Sequence, residues 1–287
     1  MAAMKCAGLR LWVLVLAAPV LTAQQAPLTR GVNFYSQEKE AALGAALSQD
    51  IAQRTTPIGS VAVRDYVERQ GSQLAAQLPD AAFPYKFAII ADNEGGSTHE
   101  PLSLPGGYFF VPADLILAAR NDAEFAGMLA HAMAHVAERH GARLATRGEM
   151  VHAGEIPLIY MSGVSDTGED GLAIPAGFLQ RQRAFELEAD RLAASVLASA
   201  GYDPRALVRY IGRVQPENSG RPEAFSSLPS RATRLAGLEQ AIQALGTLPA
   251  VSDSATSNFQ LVQQELRRLA PNAVRRPPSL RRPNDPQ

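Results

Sequence analysis

Residues 121–141 read NDAEFAGMLAHAMAHVAERHG, and the reading of that stretch decides the fold. It predicts one helix of ~19 residues, ~28 Å long at 1.5 Å per residue. Asn121 is the expected N-cap, with Glu124 three residues on as in a capping box. Gly141 suits the left-handed position just past a helix C-terminus. His131 and His135 are four apart, so both imidazoles project from one face about a turn apart. One helix can offer two nitrogen ligands to a zinc ion in this way. His140 falls near the predicted end, facing partly away from His131, where the helix dipole favours a histidine.

The zinc-peptidase pattern with this spacing is His-Glu-x-x-His, whose glutamate is the general base. Here the intervening residues are Ala132-Met133-Ala134. The ligand pair is present and the base is absent. A third ligand would strengthen the pair. Glu186 and Asp190, four apart on a later predicted helix, present two carboxylates on one face. One can complete a His₂-carboxylate zinc site with a fourth position open, and the other can orient a ligand imidazole. The alternative is an exposed helix whose acids pair with Arg183 and Arg191.

Outward from the centre, Ser36 opens a helical stretch over 36–54, broken by Thr55-Thr56-Pro57. An amphipathic helix follows over about 61–78, with Val63, Tyr66, Val67, Leu74 and Leu78 on its apolar side. Extended pieces are expected at 85–91, 98–104 and 108–111, separated by Gly-rich turns. They predict a small antiparallel sheet beside the central helix. A short helix over 113–120 leads into that helix. Residues 142–172 are ambiguous, with an apolar run at 156–161 and a loop at 163–171. Helices are predicted over 174–199, 205–214 and 230–245, and a short one over 257–269. Residues 275–283, rich in Pro and Arg, read as a disordered tail.

The chain has 287 residues, 46% hydrophobic and 19% charged, enough for one domain with a substantial core. Its net charge of −1 gives no support to a nucleic-acid partner. Residues 1–23 read as a signal peptide: Lys5 and Arg10, an apolar run over 11–21, then small residues. The single cysteine, Cys6, lies inside it, which excludes disulfides and thiolate ligands from the mature chain. The domain expectation is a signal at 1–23, a linker at 24–35, one folded domain at 36–249, and a short helix with the tail at 250–287. An exported protein of the periplasm or cell envelope follows. The four tail arginines are candidates for peripheral contact with anionic lipid.

Three separated motifs carry a resemblance: Leu104-Pro105-Gly106-Gly107-Tyr108, the helix with His131 and His135, and Glu186-x-Glu188-Ala189-Asp190. Their order is similar to the family-48 zinc metallopeptidases, of the HtpX, BepA and CAAX-protease type, from about residue 36 to 245. The resemblance implies an α+β, mainly α, zincin-like domain with Zn²⁺ held by His131, His135 and Glu186. It implies that Asp190 supports a histidine or assists proton transfer. It also implies a substrate strand at Leu102, Ser103 and Leu104, and a polypeptide substrate or client.

Three departures are visible. Ala132 occupies the position of the family's catalytic glutamate. Glu100 occupies that of an asparagine ahead of the substrate strand. Ser227-Leu228-Pro229 resembles a Thr-His-Pro segment with leucine for histidine, and Arg234 follows as a further catalytic candidate. Loss of a general base costs roughly 10²–10⁴ in rate without removing the metal. Two functions are therefore expected: a zinc endopeptidase acting on unfolded or misassembled envelope proteins, with Glu100 as substitute base, or a zinc-binding pseudoprotease that captures peptides uncleaved.

Overall fold

In the computed structural model the described residues are 33–79, 83–91, 100–151, 176–215, 228–248 and 256–269. The predicted signal peptide, the 156–161 and 163–171 segments, His99, Ser227 and the Pro/Arg tail lie outside them.

Helix α1, Gln37–Arg54, starts where Ser36 accepts a hydrogen bond from the Lys39 backbone N–H at 3.3 Å. Helix α2, Val61–Ala75, buries Val63, Tyr66, Val67 and Leu74 as its apolar spacing predicted. Three strands follow: β1 Lys86–Ile90, β2 Leu102–Leu104 and β3 Tyr108–Pro112. Short helix α3, Ala113–Ala118, then leads into α4, Asp122–Ala137.

The sheet is mixed rather than antiparallel. Its order is β1-β3-β2, with β1 parallel and β2 antiparallel to β3. Strand β3, Tyr-Phe-Phe-Val-Pro, is buried at four of its five positions and takes the centre. Placing the last strand between the first two makes one parallel and one antiparallel pair in place of the antiparallel sheet expected. Residues 105–107 make a tight 3₁₀ turn between β2 and β3, with Gly106 at φ 74° and Gly107 at φ 87°. Helix α1 lies directly on this turn: a Cβ at Gly44 would sit 1.7 Å from the Pro105 carbonyl oxygen.

Helix α4 is buried on every side, with only Ala123 and Ala137 partly exposed. It packs against α2, β2 and three later helices: α5 His140–Val151, α6 Ala176–Ser199 and α7 Arg205–Val214. Helix α8, Arg231–Ala244, covers α6 and α7. Helix α9, Thr256–Leu269, lies past the boundary expected at 249, yet its Phe259, Val262 and Leu266 share the main core. The Phe259 ring centroid is 5.8 Å from Tyr66 and 6.1 Å from Phe125, tying α9 to α2 and α4.

The central helix ends earlier than the position of Gly141 predicted. Its last residue is Ala137, and Arg139, not a glycine, takes the left-handed backbone at φ 55°. Such a conformation costs a non-glycine residue about 1 kcal/mol or more. Two contacts of the Arg139 side chain hold it there: Nε donates to the buried Glu40 carboxylate at 2.7 Å, and Nη2 to the Tyr35 carbonyl at 2.7 Å. Gly141 becomes part of the first turn of α5. At the other end Asn121 caps α4 as predicted, accepting from the Glu124 N–H at 2.9 Å. The Glu124 carboxylate reaches the Arg120 N–H at 2.9 Å and also pairs with Arg213 of α7.

Candidate metal centre

His131 and His135 leave the middle of α4 toward α6, which packs along it and brings Glu186 and Asp190. The two Nε2 atoms are 3.2 Å apart, with the rings edge to face. Glu186 Oε2 lies 3.5 Å from His131 Nε2, and its Oε1 lies 3.7 Å from His135 Nε2. A tetrahedral zinc ion with bonds of ~2.0–2.1 Å sets neighbouring ligand atoms about 3.3–3.5 Å apart. The two nitrogens are spaced close to two corners of such a polyhedron, and Glu186 turns one oxygen to each of them. One ligand atom from each of the three side chains lies within 4.8 Å of the others. Among the described residues they form the one group of this kind able to hold a metal ion.

The chemistry of the group fits a cation as well as its spacing does. Glu186 Oε2 is buried with no hydrogen-bond partner. An unsatisfied buried carboxylate oxygen is costly, and a metal ion between it and the imidazoles removes that cost.

Asp190 does not face solvent, and the reading of an exposed helix pairing with Arg183 and Arg191 fails for it. It is 1% exposed and takes a bidentate clasp from Arg234 of α8: Nε at 2.8 Å and Nη2 at 2.7 Å. Arg234 is itself 1% exposed, and its Nη1 donates to Gln215 Oε1 at 3.2 Å. Asp190 Oδ1 also lies 2.9 Å from His131 Nδ1, though off the line of a full hydrogen bond. Arg234 therefore holds Asp190 directly and also reaches the field of Glu186, with Nη2 4.0 Å from its Oε2.

The electrostatics of the two imidazoles differ. Burial disfavours a charge on His131, but the carboxylates of Asp190 and Glu186 outweigh it and raise its pKa to about 9. Burial dominates at His135, whose pKa falls well below the usual histidine range. Burial also works against the ionised Glu186, yet His135, His131 and Arg234 hold its pKa well below the ordinary carboxylate value.

Glu100 comes into this site from the segment before β2: its Oε1 is 3.9 Å from His131 Nε2, the nitrogen that also faces Glu186. Ala132 is buried beside His131 and offers no polar group. Strand β2 is shorter than the extended piece expected over 98–104 and covers Leu102, Ser103 and Leu104. Leu102 and Leu104 are buried in the cluster that also holds Phe110 and packs on Leu47 and Ile51 of α1. It lies at the sheet edge, and among the described residues it pairs only with β3. Leu228 is half-buried ahead of α8.

His140 is where sequence reasoning erred. It is fully buried rather than turned away, with Nδ1 3.1 Å from His135 Nδ1 and Nε2 3.2 Å from Glu188 Oε2. Nine residues on a continuous helix separate two side chains by ~180°, so the periodicity turned it away from His131. The break at Arg139 brings it back. The sequence assigns Glu188 no role beyond its place in the Glu186-x-Glu188-Ala189-Asp190 motif. The one sequence sign of its role was a third acid between Glu186 and Asp190.

A helix presenting two imidazoles, a carboxylate from the next long helix and a bordering edge strand define a metallopeptidase-type domain. Residues 62–242, more than half of the chain, match Peptidase family M48, and the chain belongs to that family of metallopeptidases. It is 23% identical over 216 residues to the beta-barrel assembly-enhancing protease of Yersinia pestis, covering 70% of this chain and 43% of that one. It is 25% identical over 187 residues to the protein of that name from Escherichia coli K12, covering 60% and 37%. A Vibrio cholerae serotype O1 relative, provisionally given the same name, is 28% identical over 192 residues, covering 63% and 38%. The matched region spans about two fifths of the length of these relatives.

Proposed function

We propose that this chain is a zinc-dependent endopeptidase of the cell envelope that acts on extended or misassembled polypeptides and uses Glu100 for proton transfer. His131, His135 and Glu186 hold the ion. When bound, zinc supplies Lewis-acid polarisation of a carbonyl and of a water. Glu100 accepts the proton of the attacking water and returns it to the leaving amine, work that Ala132 cannot do. The observation that carries this reading is the 3.9 Å approach of Glu100 Oε1 to His131 Nε2. An extended substrate adds through backbone hydrogen bonds to β2, the edge strand of the sheet among the described residues. The relatives' name supports clients among β-barrel proteins during their assembly. Arg234 holds Asp190 rather than meeting the substrate.

Ala132 favours a second reading, in which the chain captures polypeptides and does not cut them. Cleavage of an unfolded protein such as casein separates the two. The endopeptidase reading expects slow, chelator-sensitive turnover that falls ~10²-fold or more in Glu100→Gln and rises in Ala132→Glu. An inactive native chain made active by Ala132→Glu supports capture. Turnover unchanged in Glu100→Gln removes Glu100 from the chemistry.

A further inference from the structure

His140 and Glu188 belong to no ligand set, yet they lie against His135 in a continuous line of polar atoms. His140 is fully buried, Nδ1 to Nδ1 with His135 at 3.1 Å, and its Nε2 is 3.2 Å from Glu188 Oε2. Arg143 Nη1 meets the same Glu188 oxygen at 3.4 Å. The His140 ring stacks on Phe185, centroids 4.2 Å apart and planes within 9°, and the Arg143 guanidinium lies over Phe185 at 4.4 Å. The ring of His140 is fixed on both its face and its two nitrogens.

We infer that His140 and Glu188 are positioning residues that fix the tautomer and orientation of His135 for metal binding. This rests on the zinc reading above. A metal-binding imidazole gives its lone pair to the ion, so its other nitrogen carries the hydrogen. With Nε2 of His135 turned to Glu186, that hydrogen sits on Nδ1 and points at His140 Nδ1. His140 must then accept on Nδ1 and carry its own hydrogen on Nε2, which donates to Glu188. Arg143 donates to the same Glu188 oxygen and holds it in place. Every proton along the line is assigned, and each donor meets one acceptor. His131 reaches its carboxylate directly; His135 reaches one through an interposed imidazole.

Long-range ¹H–¹⁵N spectra of the zinc-loaded full chain, labelled in histidine, read the assignment without mutation. Hydrogen on Nδ1 of His135 and on Nε2 of His140 is expected. A zinc-loaded chain with His140 protonated on Nδ1, or on both nitrogens, overturns the inference alone. An unmutated chain that binds no zinc overturns it together with the reading beneath it. In chelator competition, His140→Leu is expected to weaken zinc binding ~10–100-fold, and His140→Gln, whose amide oxygen can accept from His135, to regain most of it. Equal affinity for native and His140→Leu also overturns it. Should His140→Leu not fold, the spectra of the native chain decide.

Discussion

The two imidazoles that face Glu186 sit one turn apart on the same helix, and they are backed in different ways. Behind His131 stands a buried carboxylate locked by a buried guanidinium, Asp190 and Arg234. Behind His135 stands a third imidazole, then Glu188, which is half-buried and shared with Arg143. The first arm concentrates charge next to the site, and the second keeps it two residues away. In the metal-free chain that difference leaves His131 ready to carry a proton and His135 neutral. The contrast shows how one helix can present two chemically identical ligands in unlike electrostatic settings.

The comparison breaks most visibly in stability. Arg234→Met takes the bidentate clasp from the buried Asp190 and leaves it His131 alone among the partners described above, and a loss of about 3–5 kcal/mol is expected in denaturant unfolding of the metal-free chain. Arg143→Met removes contacts that include the half-buried Glu188 carboxylate, the Glu138 carbonyl and the Phe185 ring, but leaves Glu188 with access to water, so about 1–2 kcal/mol is expected. Similar losses for both would erase the distinction between the arms.

A smaller effect sharpens it in proton uptake. The folded pKa of His131 is raised, so its contribution to stability is complete below the ordinary value of 6.5 and is lost as pH rises through about 9. His135 and His140 are lowered, so their contributions run the other way and are lost as pH falls below 6.5. At about pH 7.5, zinc uptake should release one proton from His131, read by calorimetry in buffers of different ionisation heat. The release should fade above about pH 9. No release at neutral pH would place His131 with the neutral arm.

Much of this centre could be read from residues alone, because its core is periodic. His131 with His135 and Glu186 with Asp190 are each four apart, and helical geometry alone puts each pair on one face. Capping residues such as Asn121, Ser36 and Ser230 marked helix starts for the same local reason. What stayed hidden depended on tertiary contacts. The break at Arg139 is stabilised by Glu40 and Tyr35, about a hundred residues earlier, and it decides where His140 points. The parallel pairing of β1 with β3 follows from which strand is buried deepest, not from any turn. Arg234 was noted downstream, but its partner Asp190 is 44 residues away on another helix.

Metal content of the purified full-length chain tests the central claim most directly. The account predicts one zinc ion per chain at equilibrium, lost in Glu186→Ala and in His135→Ala while the fold of each variant is retained. A native chain with no stoichiometric metal, or a Glu186→Ala variant that binds zinc as tightly as the native chain, would contradict it.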